Sequence, residues 1–130
     1  MTDKQRVAFL RSFCRKIKNY FGITLIPGDN FFEVDLMEYN LDTREIYYTA
    51  HYSSDAAPIA LLFHEIGHFI FDPSSVTLST IYAHEKRCWE VGFAIMSGVF
   101  GIEKTKDMEK VMKKCLKTYR MVNHATTKNR

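Results

Sequence analysis

The chain has 130 residues, the size of one ordinary domain, which excludes a multidomain machine yet leaves room for a packed core. Hydrophobic residues make up 46% and charged residues 25%, the balance of a soluble folded protein and not of a disordered tail. The formal net charge of +3 hides a segregation: six Lys/Arg against one acidic residue in 1–20, three against twelve in 21–103, and nine against two in 104–130.

No apolar run approaches the length of a membrane span; the longest, Ala56 to Phe63, is interrupted by Pro58. Val7-Ala8-Phe9-Leu10 is too short for the core of a signal peptide. Cys14, Cys88 and Cys115 are odd in number and far apart, the usage of reduced, buried thiols in a cytoplasmic protein.

In chain order, Val7, Leu10, Phe13, Cys14, Ile17 and Phe21 recur at helical spacing and predict a first helix over 3–21, closed by Gly22. Three strand-like runs follow, Ile23–Ile26, Phe31–Tyr39 and Glu45–Tyr52, separated by the turn residues Pro27-Gly28-Asp29-Asn30 and Asn40-Leu41-Asp42. Ile46, Tyr48, Ala50 and Tyr52 alternate with Glu45, Tyr47, Thr49 and His51, and the short turns predict an antiparallel meander. A second helix is expected from about Ala56 to Phe71, capped by Ser54 or Asp55, with Pro58 in its first turn and Asp72-Pro73 as its stop. It is apolar almost all round, so it should be central and buried. After a polar loop over Ser74–Ser79, a third helix is expected from about Thr80 to Val99, ended by Gly98 and Gly101. A fourth, from about Lys104 to Val122, should bury Met108, Val111, Met112, Cys115, Leu116 and Tyr119 and expose Lys106, Lys110, Lys113, Lys117 and Arg120. The expected whole is one α+β domain over 1–122, a small antiparallel three-stranded sheet on a helical core, with a frayed tail over 123–130.

The chemistry lies on the second helix, which contains His64-Glu65-Ile66-Gly67-His68, an HExxH pattern. Residues i and i+4 share a helix face, so His64 and His68 can reach one ion. Glu65, one position on, points beside the metal and can act on a metal-bound water as general base. Gly67 removes a side chain and lets another backbone approach. Two histidines and a carboxylate on a buried helix are costly without a partner, which a metal supplies.

For a third protein ligand the next helix offers Glu85, Glu90, His84 and Cys88. Its expected buried stripe is Cys88, Trp89, Gly92, Ile95, Met96 and Val99; counting back by three or four from Cys88 and Trp89 gives Glu85. Glu90 falls on the flank with Lys86, Arg87 and Ala94, and stands as the alternative; His84 and Cys88 form an i,i+4 pair of their own, although Cys88 reads first as a small core residue. Two His and one Glu select Zn²⁺. His51, Tyr47 and Tyr82 are candidate oxyanion donors, each equally readable as an ordinary surface or core side chain.

These residues resemble the ImmA/IrrE-type zinc metallo-endopeptidases. The matching pieces are Leu62 to Ile70, around His64-Glu65-Ile66-Gly67-His68, and Glu85 to Met96, which is similar to the family's Glu-x-x-Ala-x-x-Phe-Ala-x-x-Leu-Leu helix. Cys88 stands for the small Ala, Val91-Gly92 for Phe-Ala and Ile95-Met96 for the paired aliphatics. The likeness spans roughly residues 45–97. It implies a zincin-like minimal metallopeptidase, Glu85 as third zinc ligand, and a repressor or other DNA-binding regulator as substrate, in a phage or mobile-element setting. An extended peptide held by strand addition is expected to dock near the Glu45–Tyr52 run, because that run leads into the HExxH helix. The competing function is a zinc-containing binding protein that sequesters a regulator without cleaving it. The basic terminal helices read as solvated amphipathic faces in preference to a nucleic-acid surface.

Overall fold

The computed structural model describes residues 1–28, 32–71 and 76–128, the stretch 120–128 as backbone only. Among these residues the fold is α+β. The elements are α1 (Asp3–Arg11), α2 (Cys14–Phe21), β1 (Thr24–Pro27), β2 (Met37–Asn40), β3 (Glu45–Tyr48), α3 (Ala57–Ile70), α4 (Ile81–Gly98) and α5 (Lys106–Lys128).

The single helix expected over 3–21 is two. Thr2 and Gln5 form a capping box at the start of α1. At its end the Ser12 amide donates to both Ala8 and Phe9, the Phe13 amide to Leu10, and the Ser12 hydroxyl bonds the Phe9 carbonyl. A hydroxyl that competes for the helix's own carbonyls tightens the turn and breaks the axis there. Phe13, at the break, packs edge-on to Phe63, with ring centroids 6.5 Å apart.

The sheet is mixed, not the antiparallel meander expected. Its order is β1-β3-β2. β2 and β3 form an antiparallel hairpin, whereas β1 runs parallel to β3, pairing Leu25 with Ile46. The departure from a meander falls at the 28–36 connection. The strand expected over Phe31–Tyr39 begins only at Met37, and Phe32 and Val34 lie exposed in the connection; Phe31 itself lies outside the described residues. β1 and β2 occupy opposite edges of β3, and residues 29–31 of the connection between them lie outside the described residues. The run expected over Glu45–Tyr52 keeps strand form only to Tyr48, after which the alternation reverses: Thr49 is buried and Ala50 exposed. The Thr49 hydroxyl donates to the Glu33 carbonyl, holding that connection against the sheet. One face, Leu25, Met37, Tyr39, Ile46 and Tyr48, turns to the helices.

Helix α3 is central as expected, with every residue from Ala57 to Gly67 buried. Its cap differs. The N-cap is Ala56, without a side-chain bond, although Pro58 sits in the first turn. Asp55 instead accepts from Arg6 Nε at 2.8 Å and pairs with the amino terminus at 3.1 Å, a charge pairing that ties α1 to the start of α3. The Asp72-Pro73 stop, and Ser74 and Ser75 of the following loop, lie outside the described residues. Helix α5 begins at Lys106 and continues past Val122 to Lys128, so most of the tail expected to fray is helical. Met108 and Leu116 face the core while Lys106, Lys110, Lys113 and Lys117 are exposed; the Arg120 side chain lies outside the described residues. No described helix is long and apolar enough to cross a membrane.

Helices α3 and α4 cross in backbone contact. A Cβ on Gly67 would stand 2.0 Å from the Cys88 carbonyl oxygen, and a Cβ on Gly92 would stand 2.1 Å from that of Phe63. Each helix thus presents a glycine to the other's main chain, and neither neighbour can yield without moving a helix. Gly92→Ala or Gly67→Ala should therefore cost at least the ~3 kcal/mol of a severe overpacking change. The measurement is the urea midpoint at unchanged slope; a variant that unfolds with the wild-type midpoint would contradict the contact.

Candidate metal centre

The crossing assembles the site. His64 and His68 stand one turn apart on α3, and Glu85 projects from α4 opposite them, all three largely buried. Glu85 Oε2 lies 2.9 Å from His64 Nε2 and 2.9 Å from His68 Nε2, and the two imidazole nitrogens are 3.1 Å apart. Two nitrogens and a carboxylate oxygen bound tetrahedrally to zinc stand about 3.3 Å from one another. The three donors therefore already form a face of such a tetrahedron, drawn in by a few tenths of an ångström. The His64 ring stacks on Trp89, centroids 4.2 Å apart and planes 4° apart, which fixes its orientation.

Glu65 lies beside this triangle, one oxygen reaching to β2 and the other 3.8 Å from His68 Nε2. The Thr49 amide donates to the Leu36 carbonyl, which sets the parity of the hairpin: Glu38 and Asn40 bond β3, while Met37 and Tyr39 turn their main-chain groups outward. The Tyr39 N–H accordingly donates to Glu65 Oε1 at 3.3 Å. Glu65 Oε2 is buried without a hydrogen-bond partner among the described residues, 3.8 Å from His68 Nε2.

The titration pattern reads as a place for positive charge. Burial pushes the Glu65 carboxyl up to about 8. Burial acts the same way on Glu85, but the hydrogen bonds of His64 and His68 overcome it and hold that carboxyl at about 2. Burial lowers His64. It also works against His68, yet hydrogen bonds to Cys88 and Glu85 and the nearby carboxylates raise that imidazole to about 10. In the protein alone a proton on His68 supplies the cation. A divalent ion held by the same nitrogens would supply it in the proton's stead. A buried donor set of two imidazoles and a carboxylate, with an unpartnered carboxylate oxygen beside it, fits zinc.

The other candidates fall elsewhere. Glu90 is exposed on the opposite flank of α4. His51 is exposed and pairs with Asp3 at 3.2 Å. The Tyr47 hydroxyl donates to Glu45 at 2.9 Å and lines a separate hollow on the outer side of β2. Tyr82 packs against the core away from the cleft. Cys88 is fully buried, as a core residue should be, but its sulfur also lies between His68 and His84.

The cleft over the centre, about 440 Å³, is walled by α3, by β2 with its approach from Asp35, and by Cys115 and Tyr119 of α5. Tyr119 is the residue that the sequence reading missed as a site residue. Burial raises its phenol above the usual range, and so do the charge of Glu85 and a hydrogen bond to it. The signal was present: a tyrosine on a buried stripe needs a partner for its hydroxyl. Compared with protein-family models, curated proteins and solved structures, the chain matches none.

Glu85→Ala should weaken zinc binding by two orders of magnitude or more, and Tyr119→Phe by about tenfold, as for a group that orients a ligand. Glu90→Ala should leave it unchanged. Competition titration against a chromophoric chelator reads all three; equal affinity in wild type and Glu85→Ala would remove Glu85 from the centre.

Proposed function

We propose that the chain is a zinc-dependent endopeptidase of the ImmA/IrrE type, with His64, His68 and Glu85 as metal ligands and Glu65 as general base. The observation that carries this reading is the setting of Glu65. One carboxylate oxygen is anchored by the Tyr39 amide of the edge strand, and the other is buried, unpartnered and turned to the histidine pair. A purely structural metal site has no use for such a group. Zinc held by His64, His68 and Glu85 would supply Lewis acidity to a water and to the scissile carbonyl. Glu65, ionised once that cation stands beside it, would take a proton from the water and pass it to the leaving amine. Tyr119, in the same cleft and hydrogen-bonded to Glu85, could steady the developing oxyanion by giving up that bond.

The substrate edge is β2 and not the Glu45–Tyr52 run, since β3 is the middle strand and has a neighbour on each side. An extended peptide would add to β2 through the outward Met37 N–H and the outward carbonyls of Met37 and Tyr39, the Tyr39 N–H being held by Glu65. The resemblance makes a repressor or other DNA-binding regulator the proposed substrate.

Glu65→Gln should keep fold and zinc and abolish hydrolysis of a susceptible protein. Full biological activity in that variant would make the chain a sequestering protein instead. Proline tests the docking edge. At Thr49 it would break the bond to Leu36 and damage the sheet itself. At Met37, whose N–H faces outward, an edge strand tolerates it. Met37→Pro should lower kcat/KM about tenfold through one lost hydrogen bond, with zinc content unchanged. Unaltered kcat/KM would place the peptide elsewhere.

A further inference from the structure

A second group of donor atoms lies behind the His68 ring. Its Nε2 faces His64 and Glu85, while its Nδ1 faces Cys88 Sγ at 3.6 Å. The same sulfur is 3.6 Å from His84 Nε2, and one donor atom from each of the three residues lies within 4.8 Å of the others. His84 and Cys88 are one turn apart on α4, and His68 reaches them across the glycine crossing. Cys88 is fully buried and His84 only partly, so the sulfur forms the floor of the group and His84 its solvent side.

The spacing and chemistry suit a metal. With zinc–sulfur bonds of about 2.3 Å and zinc–nitrogen bonds of about 2.0–2.1 Å at tetrahedral angles, sulfur and nitrogen ligands stand about 3.6 Å apart. Both sulfur–nitrogen separations here have that value. A thiol carries one proton and can donate to only one of two imidazoles, so hydrogen bonding alone accounts for one of the close approaches as a donor and leaves the other to the weakly accepting sulfur. One thiolate and two imidazoles attract soft and borderline ions and not hard ones such as Mg²⁺.

We propose that His68 Nδ1, His84 Nε2 and Cys88 Sγ form a second metal site, for a thiophilic ion such as Zn²⁺ or Cd²⁺. Binding replaces the thiol proton, which leaves to solvent, by a metal–sulfur bond. Neither Glu65 nor Glu85 is among the donors, so the site shares only His68 with the peptidase reading. It is nevertheless coupled to the first centre, because both draw on one imidazole. A neutral ring offers one lone pair. With both sites filled, His68 bridges them as an imidazolate and releases its remaining ring proton.

The test is titration of the full chain, freed of metal by a chelator, with Co²⁺ alone, followed by the near-ultraviolet thiolate-to-cobalt charge-transfer absorption. Wild type should develop the band. Cys88→Ala should lose it, His84→Ala should need several-fold more Co²⁺ to reach it, and Glu85→Gln should keep it. No band at saturating Co²⁺, or a band that survives Cys88→Ala and so belongs to Cys14 or Cys115, overturns the proposal. A band that follows the expected pattern while Glu65→Gln keeps full biological activity upholds this site and rejects the peptidase.

Discussion

The main-chain contact between α3 and α4 sets the distances on which the centre depends. Gly67 lies between the two histidines on one helix, and Gly92 lies two turns from Glu85 on the other. Because each faces the partner's carbonyl and not a side chain, the helix separation is fixed by hard contacts that a rotamer change cannot relieve. A separation larger by the width of a methyl group would open the 2.9 Å approaches of Glu85 to both imidazoles. It would also lift Trp89 from the face of His64. Gly92 thus has a local reason in this chain, the approach of the Phe63 carbonyl. Tight packing and the geometry of the donor cluster are here the same requirement.

That requirement places two carboxylates and two imidazoles in a low-dielectric interior, where unpaired charge is expensive. The four groups respond unequally. Glu85, bonded by both imidazoles, stays ionised; Glu65, with one amide donor and one unpartnered oxygen, is driven toward its neutral form. The contrast separates the two before any ion is considered: the well-bonded carboxylate keeps its charge, and the poorly bonded one holds a proton that a cation beside it would release.

Local periodicity made much of this legible. The buried α3, the HExxH face and the extension of the α4 stripe back to Glu85 all follow from a 3.6-residue repeat, and a carboxylate on an apolar stripe announces a partner. What could not be read was non-local. Nothing in Thr24–Pro27 says that it joins β3 in parallel, because strand order is a non-local property that a four-residue run does not encode. Asp55 has the residue type and place of a helix cap, but Arg6, 49 residues upstream, claims it. Tyr47 and His51 have suitable chemistry and lie in the right stretch of sequence, yet Glu45 and Asp3 occupy them. Tyr119 was seen as buried, but what it faced depended on α5 folding back over α3.

That return of α5 also gives the charge segregation a structural meaning. Its lysines lie on the outer face, exposed, while its inner face gives the cleft Cys115 and Tyr119. The described lining holds four carboxylates, Asp35, Glu38, Glu65 and Glu85, and no Lys or Arg. Basic residues are numerous in this chain but are kept off the centre. A lysine within reach would pair with Glu65 or Glu85 and fill the place that a cation could take between them. The other two carboxylates lie toward the strand. Asp35 is tied down by the Ser53 amide and hydroxyl. Glu38 is exposed on the edge strand itself, so the cleft has a negative flank along β2. The exclusion of lysines therefore leaves the whole cleft in a field that favours positive charge.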